Sequence, residues 1–249
     1  MNKKDDAASG SGAWSALGFN TNQKTTMAIA VIIAAGIVMG FWLRSDGGPG
    51  SSSSSSTSSA QKGARSDIPM AELLAPGALP DTVIGSKDAK VTIVEYASMT
   101  CPHCASFHKT VYPELKKKYV EDGKVRFVFR EFPLDDRAAA ASMVARCAGP
   151  DKTAAMISTL FERQDSWAFI KGSPVGELQK LAKQAGMTED VFKACVADDK
   201  LLKNITTIRD KASSDFGVTS TPTFFINGKK FQGNQDIASF EKALEPLLQ

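Results

Sequence analysis

The segment that most restricts the folding of this chain is Val91–Cys104, VTIVEYASMTCPHC. Val91 to Ser98 is β-branched, aromatic and almost continuously apolar. That composition suits a central strand covered on both faces. Ser98, Met99 and Thr100 then lead straight into Cys101-Pro102-His103-Cys104. Pro102 stands where a first-turn proline belongs, and Phe107, Val111, Leu115 and Tyr119 recur every four residues, which predicts an amphipathic helix. A buried strand thus passes through a sharp turn into a C-x-x-C pair at a helix N-terminus. There the helix dipole and free backbone N–H groups stabilise a thiolate, and the context is that of a redox pair. The competing reading is half a zinc site: His108, one turn after Cys104, is a conceivable third ligand, and no fourth is apparent.

Lys124–Phe132 (KVRFVFREF) reads as a second strand. From Arg137 to about Phe216 the pattern is helix after helix, with breaks near Gly149, Gly172 and Gly186. In the last of these, Leu201, Ile205, Ile208, Ala212 and Phe216 make one apolar face. Thr223–Ile226 (TFFI), the turn pair Asn227-Gly228 and Lys229–Gln232 predict a β-hairpin, and Ile237–Leu248 a final helix. The expected fold class is an α/β sheet domain over 68–249, interrupted by a helical subdomain at about 137–216. Roughly 180 residues are enough for one sizeable core without metal or disulfide staples.

The chain upstream has a different character. Met27–Leu43 is a run of 17 apolar or glycine residues without a charge, ending in Trp42-Leu43, at the short end of a bilayer span. Lys3, Lys4 and Lys24 precede it and Arg44 follows. The expectation is a cytoplasmic tail (1–26), a single-pass anchor in the inner membrane (27–43) and a C-terminal domain in the periplasm or its equivalent outside the cytoplasm. An N-terminal signal, cleaved or not, is the alternative, and either exports the domain. Residues 44–67, with Ser51–Ser56 unbroken, read as a disordered linker. A flexible linker of that length spans roughly 25 Å.

A net charge of +3 and the lack of any Lys/Arg cluster interleaved with aromatics argue against a nucleic-acid partner. Of four cysteines, Cys147 and Cys195 stand apart from the C-x-x-C pair. Cys147 follows Ala140 and Val144, and Cys195 follows Val191 and Phe192, at spacings that turn both inward on helices. In an oxidising compartment two such cysteines in one subdomain tend to pair, so a structural disulfide is expected. Thr221-Pro222 precedes the TFFI strand, where a proline cannot donate to a sheet ladder.

Taken together, Val91–Cys104, Arg130–Leu134 (REFPL) and Thr221-Pro222 before TFFING resemble the DsbA-like branch of the thioredoxin superfamily, over about residues 77–249. The resemblance implies a thioredoxin fold with a helical insertion and a role in donating disulfides to proteins folding outside the cytoplasm. It implies that Cys101 is the exposed, attacked thiol, that Cys104 is the buried resolving thiol, and that His103 helps hold Cys101 as thiolate. Glu95, six residues before Cys101, would be buried beneath the pair and relay a proton for Cys104. Pro222 would be cis against the active site, and Thr221 would offer backbone hydrogen bonds to an extended substrate. The implied partners are reduced or unfolded proteins and a quinone-linked, DsbB-like membrane reoxidase. No cofactor and no resident metal are expected. A disulfide isomerase or reductase is the near alternative, although isomerases of the superfamily usually carry a preceding dimerisation domain for which 68–90 is too short. A non-catalytic protein binding unfolded chains, or a soft metal on Cys101, Cys104 and His108, is the distant one.

Overall fold

The computed structural model describes residues 65–233 and 235–249. The tail, the apolar run and most of the linker expected from the sequence lie outside them. Among the described residues no helix is long and apolar enough to cross a membrane.

Five strands form one mixed sheet in the order β1-β3-β2-β4-β5: β1 is Thr82–Ile84, β2 Val91–Ala97, β3 Val125–Glu131, β4 Thr223–Ile226 and β5 Lys229–Lys230. β2 and β3 run parallel, while β1 pairs with β3, β4 with β2 and β5 with β4 antiparallel. Every residue of β2 is buried, because both faces of the sheet are covered. Val91, Ile93 and Ala97 enter a large core with the helices, and Val94 and Tyr96 enter a smaller one with Phe216, Val218, Ile68 and Leu73. Pleating therefore sends Glu95 to the same side as Ile93, into the large core.

Ten helices accompany the sheet among the described residues. α1 (Met70–Leu73) precedes β1. Between β2 and β3 come α2 (Pro102–Thr110), α3 (Tyr112–Leu115) and a π-helical turn at Lys116–Val120. The single helix expected here is broken at Val111, since Pro113 has no N–H with which to continue the hydrogen-bond ladder. Its apolar stripe survives the break: Phe107 stacks among Tyr112, Phe127, Phe224 and Phe240, with 4.7 Å between the Phe107 and Phe224 ring centroids.

The insertion contains α4 (Asp136–Cys147), α5 (Pro150–Glu162), α6 (Gln164–Trp167), α7 (Val175–Gln184), α8 (Glu189–Val196) and α9 (Asp199–Phe216). Asp135, Thr188 and Asp198 cap α4, α8 and α9 with side-chain oxygens. Gly149, at φ 94°, and Pro150 at the first position of α5 make the expected break. α10 (Ile237–Leu248) closes the fold on Phe240 and Leu244.

Asn227 and Gly228 both take positive φ, 47° and 85°, as a tight hairpin turn between β4 and β5 requires. Gly228 is also where the incoming chain lies against the sheet: a Cβ there would stand 2.1 Å from the Ile68 carbonyl oxygen. Ile68 N donates to Gly228 O, Lys230 N donates to Ser66 O, and Asp67 bridges Lys229. The segment 66–68 is thus a short added edge beside β5.

Arg130 ties the N-terminal segment to the sheet. Its guanidinium makes a bidentate pair with Asp81 and donates to Leu73 O and Tyr96 Oη. A buried arginine needs that full set of acceptors.

Candidate active site

The site lies at the C-terminal end of β2, where the strand turns into α2. Cys101 is the N-cap of α2 and Pro102 its first residue. Four side-chain hydrogen bonds hold the turn. Ser98 Oγ and Thr100 Oγ1 are 3.2 Å apart, Thr100 Oγ1 donates to Asp135 Oδ2 at 2.6 Å, and Gln164 Nε2 donates to the carbonyls of Met99 and Cys101 at 2.8 and 3.0 Å. Gln164 is buried in α6, so the helical insertion directly braces the redox turn.

Cys101 and Cys104 are both free thiols here, the dithiol form of the pair. Cys104 is fully buried, and Cys101, implied by the resemblance to be exposed, is only 6% accessible because it sits beneath the Thr221-Pro222 loop. The Thr221–Pro222 bond is cis, and the Cys101 thiol lies 3.3 Å from the Thr221 carbonyl oxygen, to which it donates.

The two thiols are driven in opposite directions. The Cys104 thiol donates to the Cys101 sulfur and lowers its pKa from the ordinary thiol range to about 5. Burial opposes that shift, while the Thr221 side chain and the backbone N–H groups of Cys104 and His103 assist it. Cys104 is pushed far above the usual range, first by burial, then by its hydrogen bond to Cys101 and by the charge of Glu95. One thiolate and one thiol is therefore the stable dithiol state at neutral pH.

The remaining predicted residues are distributed as follows. The His103 ring is exposed, and its contribution to the Cys101 sulfur is made by the backbone N–H. Glu95 is fully buried, with Oε2 2.8 Å from His108 Nε2. Cys147 at the end of α4 and Cys195 in α8 are joined in a disulfide with Cα atoms 6.1 Å apart. Phe192 and Cys195 face inward as the spacing implied, whereas Val191 is 48% exposed. No group of three or more His, Cys, Asp or Glu side chains is placed to hold a metal among the described residues.

Sequence reasoning missed several contributors. Gln164 and Asp135 gave no local signal, because their partners are backbone carbonyls and a hydroxyl far away in sequence. His108 did give one, four residues after Cys104 on the same helix face, but its partner is a carboxylate. Leu134, whose N–H donates to Ser98 Oγ beside the redox turn, and Phe169 are large apolar side chains left 55% and 56% exposed. An open cleft of about 470 Å³ is lined by Thr100, Asp135, Asp136, Arg137, Ala168 and Phe169.

The thiolate makes a direct prediction. The rate of Cys101 alkylation by iodoacetamide in the full-length dithiol chain rises through a midpoint near pH 5 and is flat from pH 6.5 to 8. A midpoint near pH 8 to 9 would contradict the stabilised thiolate. The same shift sets a stability relation with a definite sign. A thiol whose folded pKa lies below its unfolded value stabilises the folded state most above the unfolded pKa, and loses that contribution as pH falls through about 5. The folded dithiol form thus gains on the disulfide form as pH rises from about 5 towards the ordinary thiol pKa of ~8.5.

The comparisons with known proteins agree with this geometry. A thioredoxin family model, Thioredoxin_4, matches residues 78–246. A curated relative from Rickettsia bellii, provisionally named a protein-disulfide oxidoreductase, is 36% identical over 172 residues, covering 66% of this chain and 65% of its own length. A similarly named relative from Rickettsia felis is 33% identical and covered over 60% of its length. The match thus spans less than two thirds of either relative. The crystal structure of alpha-DsbA1 from Wolbachia pipientis superposes with a TM-score of 0.66 at 33% identity, covering 71% of this chain and 94% of that one. BdbD from Bacillus subtilis, 22% identical with a TM-score of 0.61 over 68% of this chain and 92% of its own, shares the fold. With a matching family model, a mixed sheet split by a helical insertion, and a C-x-x-C pair at a helix N-terminus, the chain belongs to the DsbA-like branch of the thioredoxin superfamily.

Proposed function

We propose that this chain is a thiol:disulfide oxidoreductase that donates disulfide bonds to proteins folding outside the cytoplasm. The observation that carries the reading is the pair of free thiols at the start of α2, Cys101 as its N-cap under the Thr221 carbonyl and Cys104 fully buried behind it, an arrangement that lowers Cys101 to about 5 and raises Cys104. A stable Cys101 thiolate favours the dithiol form, and a favoured dithiol form makes the disulfide a strong oxidant. In the forward step a substrate thiolate attacks Cys101 Sγ of the disulfide, and Cys104 leaves with the electron pair of the broken S–S bond. A second substrate thiolate then attacks the substrate sulfur of the mixed disulfide and releases Cys101, a good leaving group because its thiolate is stable.

In this reading Thr221 and Pro222 guide an extended substrate segment past Cys101, and exposed Leu134 and Phe169 give its apolar side chains a place to rest. Backbone recognition beside exposed apolar side chains suits an enzyme that accepts many unfolded chains. Glu95 supplies and takes the proton of Cys104. The disulfide between Cys147 and Cys195 staples the insertion and takes no part in exchange.

Residues 27–43 act as a single-pass anchor and the linker 44–67 as the tether, its last residues Ser66 and Asp67 lying beside β5, which puts the domain in the periplasm or its equivalent within reach of a DsbB-like, quinone-linked reoxidase in the same membrane. The support is compositional: an uncharged apolar run bounded by lysines on one side and a serine-rich stretch on the other.

The test is stoichiometric transfer. The oxidised full-length chain, mixed with a reduced unfolded protein that needs disulfides, should convert its thiols to disulfides while Cys101 and Cys104 become alkylatable. Failure to lose its own disulfide to the substrate would sink the reading. Retention of the chain in the membrane pellet after alkaline extraction tests the anchor separately.

A further inference from the structure

Beneath the redox pair the structure holds a second proton-binding group that the exchange reaction described above leaves unused. His108 Nε2 lies 2.8 Å from Glu95 Oε2, and the side chains are 4% and 0% exposed. Glu95 Oε1 and His108 Nδ1, the other two polar atoms of the pair, are buried without a hydrogen-bond partner. Two unsatisfied polar atoms in one buried pair are costly, and a catalytic or redox role is one of the recognised reasons for such a cost.

The neighbourhood contains little else that can carry charge. From α5 the Phe161 ring stacks on the imidazole at 4.3 Å, and from β3 Phe129 meets it edge-on at 6.1 Å. Phe107 of α2 lies at 5.4 Å and Tyr112 of α3 at 5.0 Å. The titratable groups facing the pair are Tyr112, whose ionisation burial and Glu95 both oppose, and the Cys101/Cys104 pair, of which Cys104 feels the charge of Glu95. Cys104 and His108 are four residues apart on α2 and so lie on one face of it.

We propose that His108 is the proton partner of Glu95, a positioning residue that acts through Glu95 on Cys104 and keeps the buried carboxylate from being stranded without a counter-charge. The inference rests on the oxidoreductase reading. When a substrate thiolate opens the disulfide, Cys104 leaves as a buried thiolate and takes the proton from Glu95 Oε1. Glu95 is then a carboxylate, His108 takes up one proton from water at Nδ1, and the imidazolium Nε2–H donates to Glu95 Oε2. In the reverse step the carboxylate removes the Cys104 proton as Cys104 Sγ attacks Cys101, and His108 returns its proton to water. No net charge is left in the apolar site in either direction. A buried carboxylate alone would have to be protonated or unpaired.

Two measurements test the proposal. The first is a double-mutant cycle on the full-length chain, with His108→Phe to keep the aromatic packing, Glu95→Gln, and both together. Opening of the Cys101–Cys104 disulfide by dithiothreitol is followed from pH 5 to 8 by alkylation and mass. His108→Phe should slow opening about tenfold and flatten the pH profile, and it should add nothing in the Glu95→Gln background. Multiplying effects, or an unchanged profile, would overturn it.

The second measurement needs no variant. The chain has two histidines, His103 and His108, so imidazole 15N spectra contain one exposed and one buried ring. The buried ring should show imidazolium 15N shifts in the dithiol form and neutral-imidazole shifts in the disulfide form, because Glu95, 2.8 Å from it, has given its proton to Cys104 only in the former. Identical behaviour in both redox forms would overturn the proposal even if every variant misfolds. If disulfide transfer to unfolded protein fails while the buried ring still follows the redox state, the oxidoreductase reading falls and the coupling of His108 to the cysteine pair stands.

Discussion

A Cys104→Ser chain loses disulfide transfer to background and instead accumulates covalent adducts through Cys101. The reason lies in the division of labour between the thiols. Cys101, under Thr221, is the more accessible sulfur of the two, 6% against 0%, and its thiolate form persists to about pH 5. Serine at 104 keeps a hydroxyl to donate to the Cys101 sulfur, so the nucleophile is retained. What is lost is the second sulfur, buried at 0% exposure, that closes the disulfide and expels a bound partner. Mixed disulfides with disulfide-bearing proteins should therefore persist on non-reducing gels and vanish with dithiothreitol, and Cys101→Ser should form none. Full transfer by the Cys104→Ser chain would show that the pair does not work as one unit.

Replacing both Cys147 and Cys195 by alanine should cost about 4 kcal/mol, from the chain entropy of closing a loop of that size. The bridge links the end of α4 to α8 across a sequence separation of 48. Around it Met143, Cys195 and Ile205 form a satellite cluster outside the main core. A loss of that size is a large share of an ordinary domain's stability of ~5 to 15 kcal/mol. Denaturant midpoints of the native and doubly substituted chains measure it, and the Cys101 alkylation profile should stay in place because the bridge does not touch the redox turn. An unchanged midpoint would mean that the α4–α8 packing holds without the bridge.

The parts of the fold that were legible in the sequence are those with a local cause. The β2 strand announced itself by the β-branched, almost continuously apolar run from Val91 to Ser98, the α2 start by Pro102, and the β4–β5 hairpin by Asn227-Gly228. What was not legible depends on partners distant in sequence. β1 is three residues long and is a strand only because Thr82, Val83 and Ile84 pair with Phe129, Val128 and Phe127. The Arg130 clamp unites Leu73, Asp81 and Tyr96, and no window of sequence contains them all. Within the site, the C-x-x-C pair carried its own signal, whereas the place of Thr221-Pro222 against it followed only from the family resemblance. The four-residue period, by contrast, gave no warning of the break that Pro113 imposes. The link between Glu95 and His108 is invisible locally for the opposite reason: one lies on a strand and the other on a helix, and only packing of α2 on β2 joins them.

The measurement that bears most directly on the account is the equilibrium of Cys101 and Cys104 in the full-length chain with glutathione buffers, the thiol state being read by alkylation and mass. A thiolate stabilised at Cys101 beside a suppressed Cys104 predicts a dithiol that persists in buffers oxidising enough to convert ordinary dithiols, with a potential above the glutathione couple. A potential well below that couple, as low as thioredoxin's ~−270 mV, would mean that the pair reduces other proteins, and the direction assigned to the reaction would be wrong.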